Sequence, residues 1–238
     1  MQPDHGMYVT GTNWTITNNT IYDNLAIGIQ VAGYAWCADG NCYGGGSRTH
    51  ADPSYAGASG FMIANNTIAY NEHGPGITVW QADTTNGQII NNILYENGQH
   101  NPSGSPQGIS LYNSGGRQVF KNNLFYASGA GATANIGGTT GWQTKYTESG
   151  DISANPNFVN APAILTAGSL DFHLQPDSPA IDAGLAIPEM ASNDPKPDIG
   201  ASDTSGFTHP VTSTSDGAGG SGGSGSGKGW GGISNCAR

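Results

Sequence analysis

Short apolar runs recur along this chain, and each is followed by a pair of asparagines. The runs are Trp14-Thr15-Ile16, Phe61-Met62-Ile63, Gln88-Ile89-Ile90 and Gln118-Val119-Phe120. A second short run follows each Asn pair, and after a corner comes a third that opens on glycine. The Gly-led runs are Gly28-Ile29-Gln30-Val31, Gly76-Ile77-Thr78-Val79 and Gly108-Ile109-Ser110-Leu111. Gly6-Met7-Tyr8-Val9 is an earlier member and Thr133-Ala134-Asn135-Ile136 a later one. Alternation with period two, in segments too short for a helix, predicts strands. The Asn motifs start at residues 18, 65, 91 and 122, with a degraded copy at Asn155-Pro156-Asn157-Phe158-Val159, so they lie 47, 26, 31 and 33 residues apart. Three short strands per repeat at this period predict a coil of parallel sheets in which each turn buries its face against its neighbours. The right-handed crossover rule sets its hand.

The Asn motifs read Asn18-Asn19-Thr20-Ile21-Tyr22-Asp23-Asn24, Asn65-Asn66-Thr67-Ile68-Ala69-Tyr70-Asn71 and Asn91-Asn92-Ile93-Leu94-Tyr95-Glu96-Asn97, and more loosely Asn122-Asn123-Leu124-Phe125-Tyr126. With them the chain resembles the right-handed parallel β-helices of the pectate-lyase-like superfamily. The resemblance implies an Asn ladder through Asn19, Asn66, Asn92 and Asn123, whose amides bond along the axis of the coil. It extends to a terminal segment carrying Asp171-Phe172-His173-Leu174, Ser178-Pro179-Ala180-Ile181-Asp182-Ala183-Gly184 and Asp198-Ile199-Gly200-Ala201, and so covers residues 6 to 201. The expected fold is all-β: a single-stranded right-handed parallel β-helix of about five to six rungs, with an irregular C-terminal cap. Residues 1–204 form that domain, and 205–238 a Gly/Ser-rich tail or linker. The superfamily holds lyases, hydrolases, epimerases and non-catalytic proteins, so fold alone does not supply function.

Composition narrows the partners. Only 10% of the 238 residues are charged, and seven Lys and Arg leave a net charge of −10. Nucleic acid needs a basic footprint and is excluded as a partner. A polyanionic substrate would need a cation such as Ca²⁺ to screen repulsion; no cofactor is otherwise required. No run of 18 apolar residues suits a membrane span. Met1 to His5 carries no signal-peptide pattern, so the chain reads as a mature or truncated piece. Cys37 and Cys42 share one Gly-rich loop and can close a small disulfide, leaving Cys236 apart. That pair fits an extracytoplasmic or secreted location. The first rung, Gly6 to Val9, has no rung before it, which predicts self-association through an uncapped end or a lost N-terminal region that covered it.

Two insertions break the period, Tyr34 to Ser59 and Asn97 to Gln107. Both border the Gly-led sheet, so together they can wall a groove over it. Parity turns Tyr8, Gln30, Thr78, Ser110 and Asn135 outward on that sheet. Trp80 and Tyr112, two residues on, also face out and offer surfaces on which sugar rings stack. At the corner leading into the sheet, Asp23 and Glu96 occupy one repeat position two rungs apart. Glu72, with His73 beside it, sits on the rung between. Rung spacing places Asp23 and Glu96 about 9–10 Å apart and Glu72 and Glu96 about 5 Å apart, spacings compatible with glycosidase carboxylate pairs. A β-eliminating lyase would instead draw on Arg48 and His50 of the insertion, or on Arg117 and Lys121. The paired-Asp pattern of polygalacturonases and the Arg-rich motif of pectate lyases are absent.

The sequons at Asn13, Asn18 and Asn65 are read as ladder-turn residues rather than glycan acceptors. His5 is read as a corner histidine, and the Asp194 to Asp203 segment as a polar end cap. The functional expectation is a protein acting on a polysaccharide or oligosaccharide by carboxylate-assisted hydrolysis. The alternatives are a polysaccharide lyase, Ca²⁺-assisted or not, and a non-catalytic glycan-binding or structural module.

Overall fold

A computed structural model describes residues 4–33, 57–100, 108–128, 135–165, 168–188, 190 and 194–201. Arg48, His50 and the three cysteines lie outside these residues, as does the Gly/Ser-rich tail.

Three parallel sheets of five strands each run along one axis. The sheet before each Asn pair holds β2 (Thr15–Thr17), β5 (Met62–Ala64), β8 (Gln88–Ile90), β11 (Gln118–Lys121) and β14 (Tyr146–Ser149). The sheet after it holds β3 (Thr20–Tyr22), β6 (Thr67–Ala69), β9 (Ile93–Tyr95), β12 (Leu124–Tyr126) and β15 (Ile152–Ser153). The Gly-led sheet holds β1 (Met7–Val9), β4 (Ile29–Ala32), β7 (Ile77–Trp80), β10 (Ile109–Tyr112) and β13 (Ile136–Gly138). Every consecutive pair in these sheets is parallel, so the chain is a parallel β-helix of three strands per rung.

Like residues stack on like within the coil. Ile29, Ile77, Ile109 and Ile136 form one in-register column, and Val31, Val79 and Leu111 a second. Ile63, Ile89 and Phe120 face them from the second sheet, and Ile21, Ile68, Leu94 and Phe125 from the third, closing one core cluster. The glycine that opens each Gly-led strand has a steric cause. A Cβ on Gly28 would lie 2.6 Å from the Gly76 carbonyl and 2.8 Å from Asn71 Nδ2, and would also meet Ile68.

Each Asn pair does two different things. The first Asn takes the left-handed backbone of the turn, at φ of 59°, 53°, 55° and 50° for Asn18, Asn65, Asn91 and Asn122. Asparagine tolerates this region better than other side chains. The second Asn makes the ladder. Asn66 donates from its backbone N and its Nδ2 to Asn92 Oδ1, both at 3.0 Å, and Asn92 does the same to Asn123. Asn66, Asn92 and Asn123 are fully buried. Asn65 is also buried, which removes it as a glycan acceptor.

Two expected repeats move. The fifth ladder position belongs to Asp151, which accepts from Asn123 N at 2.7 Å, and not to the motif at Asn155. Phe158 of that motif starts β16 (Phe158–Asn160), which pairs antiparallel with β17 (Asp171–Leu174). The later Gly-led strand is displaced by two residues. Ile136 pairs with Ile109, so Gly137, not Asn135, stands opposite Ser110.

From β16 onward the chain packs along the flank of the coil. Phe158, Leu174, Ala180 and Ile199 bury against the outer side of the post-Asn sheet, on Ala69, Tyr70, Ile93, Tyr95 and Leu124. Asn91 docks this segment like a piece of strand, donating to the Leu185 carbonyl and accepting from its N–H, both at 2.8 Å. Asp198 accepts from Asp182 N and Asp194 from Lys196 N, so these acids brace turns in the same segment.

Replacing Asn66 by Leu removes donors to Asn92, Ile16 and Ala64 and an acceptor for Asn19. The loss of buried partners is expected to cost at least about 1–3 kcal/mol. Urea unfolding reads it as a lower midpoint, and an unchanged midpoint would refute the ladder's energetic role. The strands β1, β2 and β3 are the outermost of their sheets. Association through these edges predicts a sedimentation coefficient that rises with concentration, and a constant monomer value counts against it.

Candidate functional site

The corner between the post-Asn sheet and the Gly-led sheet is built by a second column of amides. Asn24 Nδ2 donates to Asn71 Oδ1 at 2.8 Å, and Asn71 Nδ2 donates to Asn97 Oδ1 at 2.6 Å. The residue before each of these asparagines is left-handed: Asp23 at φ 58°, Tyr70 at 53° and Glu96 at 49°. For Tyr70 and Glu96 this conformation costs about 1–2 kcal/mol each, which the surrounding packing must offset. Tyr70 and Tyr95 are tied by their hydroxyls, which donate to the carbonyls of Pro162 and Ala161 at 2.6 and 2.7 Å.

On the next rung the amide column meets Ser128 in place of Asn, and Glu96 turns toward it. Its carboxylate accepts from Ser128 N at 3.0 and 3.1 Å and from Ser128 Oγ at 2.6 Å. Gln99 Nε2 donates to Glu96 Oε2 at 3.0 Å and to the Ala163 carbonyl at 2.5 Å, tying the acid to the C-terminal segment. Glu96 is fully buried, and these donors supply its carboxyl oxygens with hydrogen bonds.

Glu72 lies one residue past the Asn71 position and is accessible. Its Oε2 is 3.8 Å from His73 Nε2 and 3.9 Å from His100 Nδ1, ion pairs whenever either imidazole is protonated. Glu72 and Glu96 line one cavity of about 100 Å³, together with Tyr70, Gln99, His100 and the apolar wall of Ile164 and Leu165. That is room for a few water molecules or one end of a larger ligand. Burial and the negative charge of Glu72 push the Asp23 carboxyl above its ordinary 3.8. Burial first, and then Glu96, pushes the Tyr95 phenol up to about 12, so it stays a neutral donor. Among the described residues, no group of three or more His, Cys, Asp or Glu converges to hold a metal ion.

The outward face of the Gly-led sheet follows the predicted parity. Tyr8, Gln30, Thr78 and Ser110 pair in register, and Trp80 pairs with Tyr112. Gln30, Thr78 and Ser110 are nonetheless nearly buried, at 6–8% exposure, whereas Tyr8 and Tyr112 are about half exposed, at 47% and 49%. His5 Nε2 lies 2.7 Å from Gln30 Oε1, with its ring against Tyr8, while its Nδ1 is buried with no hydrogen-bond partner among the described residues, so this histidine is only half satisfied. None of these outward residues lines the cavity. The acids stand before the start of the Gly-led strands, and Trp80 and Tyr112 stand at their far end, roughly 13 Å away by strand rise.

The structure thus gathers Asp23, Glu72, His73 and Glu96 and sets the aromatic pair apart. Sequence reasoning missed His100, Gln99 and Ser128. The repeat closes on Asn24, Asn71 and Asn97, five positions after each ladder asparagine, but sequence reasoning gave them no second amide column.

The crystal structure of pectate lyase Pel9A aligns over 84% of this chain and 67% of its own, at 14% identity and a TM-score of 0.24. No curated protein matches the sequence. A family model described as "Right handed beta helix region" matches residues 3–147. Three parallel sheets joined rung by rung and this match over more than half the sequence give one conclusion: the chain belongs to the right-handed β-helix family.

Proposed function

We propose that this chain is an extracytoplasmic carbohydrate-active protein that cleaves a polysaccharide by carboxylate-assisted glycoside hydrolysis. The observation that carries the reading is the meeting of Glu72 and Glu96 in one cavity, with Asp23 coupled to Glu72. A glycosidase needs two carboxyl groups in unlike environments, one keeping its proton and one ionised. Asp23, whose carboxyl is pushed up, suits the acid. Glu72, accessible and flanked by His73 and His100, suits the base or nucleophile. Glu96, fixed by Ser128 and Gln99, holds a negative charge against the developing positive charge of the sugar.

Trp80 and Tyr112 supply stacking surfaces at the other end of the strands, with Gln30, Thr78 and Ser110 behind them. The span between the two places suits an oligomer rather than a single sugar. Arg48 and His50 extend this binding role from the insertion, and Ca²⁺ would be called on only for an anionic polymer.

A non-catalytic glycan-binding module is the second reading. It is favoured by the complete set of hydrogen bonds on Glu96 and by a cavity well below the few hundred Å³ of ordinary ligand pockets. A lyase reading needs cations around a uronate, and the net charge of −10 opposes it.

Incubation with neutral and uronate polysaccharides separates the three. Hydrolysis gives new reducing ends without the ultraviolet absorbance of an unsaturated uronate. A rise in that absorbance indicates a lyase, and binding without either product indicates the module. Glu72→Gln is expected to reduce turnover by at least about 10²-fold with binding kept. Trp80→Ala should weaken binding instead. An active protein unaffected by Glu72→Gln, Glu96→Gln and Asp23→Asn would defeat the carboxylate mechanism.

The coupling has its own test, independent of activity. In a carboxyl NMR titration, Glu72→Gln removes the neighbouring charge and should lower the Asp23 midpoint toward 3.8. An unmoved midpoint would show that the two acids do not act as a pair.

A further inference from the structure

Within the Asn ladder each side chain follows one rule. Its Oδ1 accepts from the rung before. Its Nδ2 donates to the rung after, and also to backbone carbonyls that face the turn. Asn66 Nδ2 reaches the carbonyls of Ala64 at 3.0 Å and Ile16 at 2.9 Å. Asn92 Nδ2 reaches Ile90 at 3.0 Å and Ile63 at 2.9 Å. These acceptors lie two residues before the donor itself and three before the preceding ladder residue; Asn123 Nδ2 shows the second kind, Ile89 at 2.9 Å.

Asp151 keeps half of the rule. Its Oδ1 accepts from Asn123 N at 2.7 Å and from Asn123 Nδ2 at 3.2 Å. Its Oδ2 stands where the other rungs have an amide nitrogen, and it is buried with no hydrogen-bond partner among the described residues. By the ladder rule the carbonyls facing that position belong to Ser149 and Phe120. An ionised carboxylate sets a lone pair against acceptors there. A protonated one donates its single O–H to one of them.

We propose that Asp151 is a proton-operated closure of the ladder: protonated, its Oδ2–H takes the place of the missing amide and holds the last rung; ionised, it leaves that rung unfastened. The residues around it agree. Glu148, on β14, adds negative charge and raises the affinity for a proton. Tyr146 on the same strand is a neutral phenol whose own ionisation is disfavoured by burial, Glu148 and Asp151. Lys121 of β11 pairs in register with Ser149 and is the basic residue of this stretch of sheet. Burial, with Glu148 adding to it, pushes the Asp151 carboxyl up to about 6 against the opposing hydrogen bonds from Asn123. The folded state therefore binds a proton that the unfolded chain gives up near 3.8. Stability is fullest below 3.8 as far as this group is concerned, and is lost as pH rises through about 6.

Asp151→Asn supplies the amide permanently. In urea unfolding it should raise the native-to-unfolded ratio at mildly alkaline pH by at least about tenfold. It should also flatten the fall in stability between 3.8 and about 6. A variant no more stable than the wild type at alkaline pH, or one that keeps the slope, overturns the proposal. A ¹³C titration of the wild-type Asp151 carboxyl decides the matter even if the variant does not fold. A midpoint above the ordinary aspartate range supports the closure, and one at or below 3.8 refutes it.

Discussion

Where the pre-Asn strands hand over to the post-Asn strands, the chain turns inside the protein, and the backbone groups of that turn are shut away from water. A buried peptide group without a partner costs more than most side-chain contacts return. The second Asn of each pair solves this with one side chain that accepts twice from the rung before and donates several times. The requirement repeats at every rung, so the solution must repeat as well. The stacked Ile and Val columns, the glycine at each corner and the docking of the C-terminal segment all presuppose rungs already held in register by these amides.

The ladder was legible in the sequence because two separate demands fall on neighbouring positions and both select asparagine. A left-handed turn residue and a buried amide together write Asn-Asn. Asp151 was illegible for the complementary reason: it fills a ladder position with a different atom, and a search for asparagine passes over it to Asn155. The two-residue displacement of β13 has a similar origin, since no glycine marks its start. Side-chain parity survived that displacement because two residues restore the same face.

At the candidate site, legibility ended where the repeat ended. Asp23 and Glu96 could be equated because they share a repeat position, and Glu72 because it follows one. Gln99 and His100 belong to an insertion with no counterpart on other rungs, so periodicity says nothing about them. Parity also reports which way a side chain leaves the sheet but not what lies over it. Gln30, Thr78 and Ser110 leave on the outer side as expected, yet are nearly as enclosed as the core.

The ladder has a direction. Every amide donates toward the later rung and accepts from the earlier one, so the carbonyl ends point toward Asn19 and the N–H ends toward Asp151. A row of aligned amide dipoles behaves as the peptide dipoles of a helix do, with positive potential where the N–H groups emerge. A carboxyl oxygen can terminate such a row on that side alone by accepting from it, as Asp151 Oδ1 does from Asn123. At the opposite end the same group would face carbonyl oxygen and be repelled. The two ends of this coil are therefore chemically unlike: one calls for a hydrogen-bond acceptor, the other for a donor.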